Sequence, residues 1–127
     1  MRLLLDTTVL VDVLRGRAAA YAMLAEAVRS GHELGTSAIN LAEVYSGIRS
    51  HEEIDAREFL GTLTFFPVTS SIAERGGRMR NELARRGTTV GLADAVIAAT
   101  ALEHGLALVT DNRKDFPMAG IEFFPLP

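Results

Sequence analysis

Two short, uninterrupted apolar runs near opposite ends of the chain constrain its fold most strongly. They are residues 3–5 (Leu-Leu-Leu) and residues 107–109 (Ala-Leu-Val). A strand that is exposed on one face alternates apolar and polar side chains, whereas a strand covered on both faces in a parallel sheet is continuously apolar. We therefore expect two buried parallel strands, with helices on both faces of the sheet.

Helical patterns and weaker strand candidates alternate between these two runs. The strongest helical pattern covers residues 38–49, which follow Ser37, a favoured N-cap. Its apolar stripe consists of Leu41, Val44, Tyr45 and Ile48. Further helices are predicted at residues 7–14, 18–29, 52–63, 70–86 and 92–103, and further strands at 33–36, 65–68 and 122–124. This alternation predicts a three-layer α/β/α fold with a short parallel sheet and right-handed crossovers.

Helix starts are predicted from side chains that can accept a backbone hydrogen bond. Thr7 or Thr8 is expected to cap the first helix, and Ser70 or Ser71 the helix over residues 70–86. Pro67 is expected to confine the strand over residues 65–68 to an edge or an end of the sheet, because proline lacks a backbone N–H.

Length and composition limit the classes of protein that remain. The chain has 127 residues, which suits one domain over residues 1–127. It has no cysteine, which excludes disulfides and thiolate zinc sites and fits a reducing compartment. With 13 basic and 16 acidic residues the net charge is −3, so the basic arm of many nucleic-acid-binding proteins is missing. Acids interrupt every apolar stretch, so we expect no membrane segment and a cytoplasmic location.

Both apolar runs lead into polar, acid-bearing sequence. Asp6 follows the first run, and Thr110-Asp111-Asn112 follows the second. Ligands of open parallel sheets bind at the carboxyl ends of the strands, where these side chains are expected. The alternative is that Asp6 only starts a turn or caps the next helix.

Asp94 interrupts an apolar helix face. It shares that face with Val90, Ile97, Ala98 and Ala101. A carboxylate facing a core costs several kcal/mol unless a cation, a metal or hydrogen-bond donors compensate it. The alternative is that Asp94 lies in the first helical turn, where the helix dipole stabilises a negative charge.

The chemistry that remains possible is that of carboxylates. The three histidines have no spacing of a ligand pair, and no nucleophile elbow, phosphate-binding loop or dinucleotide-binding loop occurs. Oxygen ligands without cysteine or clustered histidine favour Mg²⁺, with Mn²⁺ as a substitute. Helical periodicity predicts that Glu43 is exposed to solvent, because the stripe of its helix points the opposite way.

Four segments together resemble the PIN-domain ribonucleases, and specifically the VapC toxins of toxin–antitoxin pairs. They are residues 3–12 (LLLDTTVLVD), 37–47 (SAINLAEVYSG), 92–101 (LADAVIAATA) and 108–116 (LVTDNRKDF). The resemblance extends over essentially the whole chain and implies a PIN-like domain. It implies an endoribonuclease that hydrolyses transfer or ribosomal RNA with Mg²⁺, forms a homodimer and binds a VapB-type antitoxin.

The resemblance also implies which residues carry the chemistry. Asp6, Glu43 and Asp94 are expected to bind the metal, which contradicts the solvent-exposed prediction for Glu43. Asn112 stands where the family commonly has another acid. Asn112 is expected to offer a neutral oxygen or to orient a water, while Asp111 or Asp115 supplies the missing charge; Asp115 could instead only cap a turn.

The basic residues of one helix are candidates for phosphate contacts, because guanidinium groups bind phosphate in a bidentate way. They are Arg75, Arg78, Arg80, Arg85 and Arg86. The alternative is a solvated face with an Arg78–Glu82 ion pair. The apolar stripe over residues 41–48 is predicted to be either a subunit interface or ordinary core.

Two other functions remain open from the sequence. A phosphoacceptor receiver domain has similar length and also collects acids at strand ends, but Asp6 lacks a paired acid and Lys114 is the only lysine. A non-catalytic PIN-like module that binds RNA or protein is suggested by Asn112.

Overall fold

The apolar runs form the centre of a parallel sheet. In a computed structural model, which describes residues 1–126, the sheet has five strands. They are Arg2–Leu5 (β1), Glu33–Ser37 (β2), Thr64–Phe66 (β3), Ala107–Val109 (β4) and Glu122–Phe123 (β5). All are parallel, in the order β3-β2-β1-β4-β5, so β1 and β4 pair directly, with Leu5 opposite Val109. As expected, β3 is an edge strand, and it ends before Pro67.

Six α-helices connect the strands within residues 1–126. They are Thr7–Leu14 (α1), Ala18–Arg29 (α2), Ala38–Gly47 (α3), Glu53–Gly61 (α4), Ser70–Arg85 (α5) and Leu92–His104 (α6). Helix α3 ends earlier than predicted because Ile48 has an extended backbone, with ψ 155°. None of these helices is long and apolar enough to span a membrane.

The helices cover both faces of the sheet, which confirms the three-layer α/β/α fold. Leu3 and Leu5 point to one face, where they pack with buried side chains of α1 to α4. Leu4 points to the other face and packs with α6 and with Phe116 in the loop after β4. Because β1 is covered on both faces, all three leucines are fully buried, as the unbroken apolar run predicted.

Two helix caps differ from those predicted. Asp6, not Thr7 or Thr8, caps α1: its carboxylate accepts the backbone N–H of Thr7. Thr69, not Ser70 or Ser71, caps α5, because its hydroxyl accepts the backbone N–H of Ile72 at 3.2 Å. In both cases the residue just before the predicted cap has the extended backbone that a capping side chain requires.

Candidate active site

Asp6 lies where β1 ends and α1 begins. Its backbone N–H donates to the carbonyl oxygen of Val109 at 2.9 Å, which keeps it in register with β4. Each carboxylate oxygen accepts one hydrogen bond, Oδ1 from the Thr7 backbone N–H at 2.9 Å and Oδ2 from the Thr110 hydroxyl at 2.8 Å. Asp6 is only 6% exposed. It therefore has both of the positions predicted for it, as a helix cap and at the carboxyl ends of the central strands.

Thr110 joins Asp6 to the loop after β4. Its buried hydroxyl donates to Asp6 and accepts the backbone N–H of Asn112 at 3.0 Å. Asn112 is half-buried and follows this contact directly. The structure thus brings Asn112 to the same edge of the sheet as Asp6, through its backbone.

Glu43 reaches this edge from α3. It is exposed, as helical periodicity predicted. Its Oε1 nevertheless accepts the Thr7 hydroxyl at 2.6 Å, and the Thr7 hydroxyl in turn accepts the side-chain amide of Asn40 at 3.0 Å. Exposure and proximity to Asp6 are therefore compatible for Glu43, because the edge of the sheet itself is open to solvent.

Asp94 is the third residue of α6, so it lies in the first helical turn and is half-buried. Burial, and then repulsion by Asp6, Asp115 and Glu43, raise the pKa of its carboxyl to about 6. Within the described part of the chain no hydrogen bond lowers this pKa. The next seven residues of α6, 95–101, are buried. Asp94 therefore combines the two sequence interpretations, a first-turn position and a carboxylate against the core.

Asp115, and not Asp111, is the further carboxylate near this group. Burial raises the pKa of Asp6, the hydrogen bonds from Thr110 and Thr7 oppose that effect, and the negative charges of Glu43 and Asp115 add to it. Asp115 ends the 3₁₀ turn Arg113–Asp115 and also raises the pKa of Asp94. The charge of Asp111 contributes to neither shift. We call Asp6, Glu43, Asp94 and Asp115 the acid edge.

The acid edge fits a hard divalent cation by its chemistry. Its ligand atoms are carboxylate oxygens, which Mg²⁺ and Mn²⁺ prefer. Burial, and then the neighbouring negative charges, raise the pKa of Asp94, and a bound cation would favour its charged form. No three histidine or acidic side chains of residues 1–126 are close enough to form a finished ion cage. The carboxylates would therefore have to close around the ion.

A family comparison identifies the chain. The family model of the PIN domain matches residues 3–120. Over 115 residues the chain is 36% identical to Ribonuclease VapC19 of Mycobacterium tuberculosis, and the match covers 91% of this chain and 92% of the relative. The chain belongs to the VapC ribonucleases of the PIN-domain family.

Solved structures of toxin–antitoxin complexes have the same fold as this VapC chain. A toxin–antitoxin complex from Klebsiella pneumoniae has 33% identity and a TM-score of 0.75, and the match covers 93% of this chain and 92% of that chain. VapBC2 from Rickettsia felis, bound to a DNA fragment from its promoter, has 22% identity and a TM-score of 0.87 over 100% of both chains. Receiver-type sheets have the order 2-1-3-4-5, whereas this sheet has the order 3-2-1-4-5, which excludes the receiver alternative.

Four of the five candidate arginines in and just after α5 are engaged elsewhere in this VapC chain. Arg80 donates to the carbonyl oxygen of Val90 at 3.0 Å. Three others form ion pairs with glutamates: Arg75 with Glu103 (3.1 Å), Arg78 with Glu74 (2.9 Å) and Arg86 with Glu82 (2.7 Å). The predicted Arg78–Glu82 pair is wrong, because Arg78 pairs with Glu74 one turn earlier and Glu82 pairs with Arg86 one turn later. These pairs line a cavity of about 550 Å³ and offset the positive charge that would attract phosphate.

Two basic side chains adjoin the acid edge, and sequence analysis did not single them out. Arg113 and Lys114 line an open cleft of about 660 Å³ together with Thr110 and Asn112. The Arg113 guanidinium lies 5.0 Å from the ring centre of Phe123. The signal in the sequence was their place between Asn112 and Asp115, inside the last motif shared with the VapC toxins.

The apolar stripe of α3 is mainly core. Val44 is fully buried, and Leu41 and Ile48 pack against the same core cluster. Tyr45, at 39% exposure, is the member of the stripe that stays open to solvent. The structure therefore supports the ordinary-core alternative for most of the stripe.

The three histidines contact other parts of the structure. His32 contacts the amino-terminal nitrogen of Met1 at 3.0 Å. His104 ends α6 and packs on Phe66 with ring centres 4.8 Å apart. His51 belongs to the 3₁₀ turn Ser50–Glu52.

Proposed function

We propose that this protein is an endoribonuclease and the toxin of a VapBC-type toxin–antitoxin pair, with residues 1–127 forming one PIN domain. The observation that carries the proposal is the acid edge, which lies at the carboxyl ends of the central strands in a chain 36% identical to Ribonuclease VapC19 over 91% of its length. Ligands of such sheets bind at this edge.

The cofactor in this proposal is Mg²⁺, with Mn²⁺ as a substitute. Asp6, Glu43 and Asp94 would hold it, and the raised pKa of Asp94 supports a need for positive charge there. A bound divalent cation supplies charge that stabilises the scissile phosphate and helps to activate water. Asp115 adds negative charge to this group, and Asn112 offers a neutral oxygen that can orient a water.

The residues at the acid edge would have different roles in RNA hydrolysis. Asp6 is rigid, because both of its carboxylate oxygens are hydrogen-bonded. Glu43 is exposed, and its carboxylate accepts a hydrogen bond from the Thr7 hydroxyl. Lys114 is exposed beside the acid edge and is a candidate for contact with the RNA phosphates. The products would carry 5′-phosphate and 3′-hydroxyl ends.

The partners in this proposal are an RNA substrate, a VapB-type antitoxin and a second copy of the chain. The related structures from Klebsiella pneumoniae and Rickettsia felis are toxin–antitoxin complexes, which supports the antitoxin. A basic side chain of the antitoxin would compete with the cation for the acid edge. A homodimer is proposed on the family resemblance.

Cleavage of total cellular RNA by antitoxin-free protein tests the proposal. Reactions contain Mg²⁺, Mn²⁺ or EDTA, and the new ends are sequenced. Wild-type protein is expected to make discrete cuts only with a cation, and Asp6→Ala and Asp94→Asn are expected to make none. Asp55→Asn is the matched control, because it removes an exposed carboxylate on α4 that does not line the cleft beside the acid edge or raise the pKa of Asp94. Equal cutting in EDTA would refute the role of the cation.

A second candidate is a PIN-like module that binds RNA or protein without cleavage. It is favoured by Asn112, an amide at a position where the family commonly has an acid. RNA binding without cuts at any Mg²⁺ or Mn²⁺ concentration would support it, and cation-dependent cuts that Asp94→Asn abolishes would exclude it.

A further inference from the structure

A chain of hydrogen-bonded side chains leads from the start of α3 to Glu43. Ser37 Oγ donates to Asn40 Oδ1 at 2.6 Å, and Asn40 Nδ2 donates to Thr7 Oγ1 at 3.0 Å. The Thr7 hydroxyl then donates to Glu43 Oε1 at 2.6 Å. Ser37 and Asn40 are fully buried, whereas Glu43 is exposed. This series of hydrogen bonds therefore connects the buried side chains of Ser37 and Asn40 to an exposed carboxylate.

The direction of donation along this chain follows from one backbone group. The Ser37 backbone N–H can only donate, and it donates to the Asn40 side chain at 3.4 Å, so the amide oxygen must face Ser37. The amide nitrogen of Asn40 then faces Thr7. Because the Thr7 oxygen accepts from this nitrogen, its own proton is free to be donated to Glu43.

Glu43 needs such a restraint if it is to stay at the acid edge. An exposed glutamate samples several rotamers, and the negative charges of Asp6 and Asp94 repel it toward solvent. The Thr7 hydroxyl opposes both effects. Thr7 also donates its backbone N–H to Asp6, so one residue contacts two of the four carboxylates.

We propose that Asn40 and Thr7 are positioning residues: the buried Asn40 amide fixes the direction of the Thr7 hydroxyl, which holds Glu43 at the acid edge. This inference rests on the proposed nuclease function for its effect on cleavage. The orientation of Glu43 itself can be measured without cleavage.

Four variants separate this role from a structural one. Thr7→Val removes the hydroxyl with little change in shape, and Thr7→Ser keeps it. Thr8→Val is the matched control, since Thr8 is the exposed neighbour on α1. Asn40→Asp keeps the acceptor for Ser37 but replaces the amide donor that faces Thr7 with a carboxylate oxygen. The Thr7 hydroxyl would then donate its hydrogen bond to this carboxylate instead of to Glu43. Position 40 is buried in the first turn of α3, where the helix dipole offsets part of the cost of the new charge.

The readouts are RNA cleavage, Mn²⁺ affinity without RNA, and the rigidity of the Glu43 side chain by nuclear magnetic resonance. Thr7→Val and Asn40→Asp are expected to weaken Mn²⁺ binding and cleavage about 10- to 100-fold, as loss of an outer hydrogen bond does at metal sites. In these two variants the Glu43 side chain should interconvert between several rotamers. Thr7→Ser and Thr8→Val should behave as wild type.

Two outcomes distinguish failure of the positioning role from failure of the nuclease. If wild type cleaves RNA and Thr7→Val keeps wild-type cleavage, Mn²⁺ affinity and a fixed Glu43, the positioning role is wrong. If wild type cleaves no RNA, the nuclease proposal is wrong, and the rigidity of Glu43 in Thr7→Val still decides the positioning role.

Discussion

At Asp94, burial and charge repulsion act in the same direction, and both destabilise the carboxylate. Its pKa of about 6 lies above the ordinary value of 3.8. The folded protein therefore binds a proton at Asp94 more tightly than the unfolded chain does. Without a cation, this group lowers the free energy of unfolding as the pH rises from about 4 to about 6, and the loss is complete above pH 6.

Asp94→Asn is therefore expected to stabilise the cation-free protein while it abolishes cleavage. The gain at pH 7.5 should be on the order of 1 kcal/mol, because partial exposure of Asp94 to solvent reduces the effect. At pH 4 the gain should vanish. Denaturant unfolding at the two pH values measures it, with Asp111→Asn as control, and a less stable Asn variant at pH 7.5 would contradict the account.

Thr110→Val is expected to destabilise the protein by about 1–3 kcal/mol. The change leaves Asp6 Oδ2 and the Asn112 N–H without the partner that Thr110 provides to both. Thr100→Val is the matched control: the Thr100 hydroxyl donates to the Val96 carbonyl within the same helix, and its loss should be nearly neutral. Urea denaturation compares the two variants, and equal losses would argue against a special role for Thr110.

At the scale of elements, the position of Asp94 depends on how closely α5 packs against α6. A Cβ at Gly76 would lie 3.0 Å from the Val96 Cα and 3.2 Å from the Ala95 carbonyl oxygen. Both are backbone atoms of α6, which cannot rotate away. A Cβ at the neighbouring Gly77 would meet nothing within 4 Å. The two glycines thus differ in packing alone.

Gly76→Ala is expected to destabilise the protein by about 1–3 kcal/mol despite the higher helix propensity of alanine. Gly77→Ala should stabilise it by about 0.5–1 kcal/mol, because only the propensity changes. Thermal unfolding of both variants measures the contrast. If α6 shifts in Gly76→Ala, cleavage should fall as well. A stabilised Gly76→Ala variant would mean that the two helices can separate at no cost.

For the whole molecule, the fold could be predicted further than the site. The apolar runs at residues 3–5 and 107–109 indicated the sheet, because complete burial leaves an unbroken pattern. The place of Glu43 could not be read from periodicity, since it depends on a bond to Thr7, 36 residues away. The choice of Asp115 over Asp111 depends on the orientation of a short 3₁₀ turn, which has no apolar pattern of its own.

Charge at the acid edge links the stability of the whole molecule to cations. A ligand that binds only the folded state stabilises it by about 2.7 kcal/mol at 100 times its Kd. For a chain of this length, this corresponds to a rise in Tm of about 10 °C.

We expect Mn²⁺ to raise the Tm of wild type at pH 7.5 and not that of Asp6→Ala. At pH 5 the rise should be smaller, because protons compete for Asp94, whose pKa is about 6. Thermal unfolding with Mn²⁺ and with EDTA measures both effects. An equal rise at pH 5 and pH 7.5 would mean that the cation binds away from the acid edge.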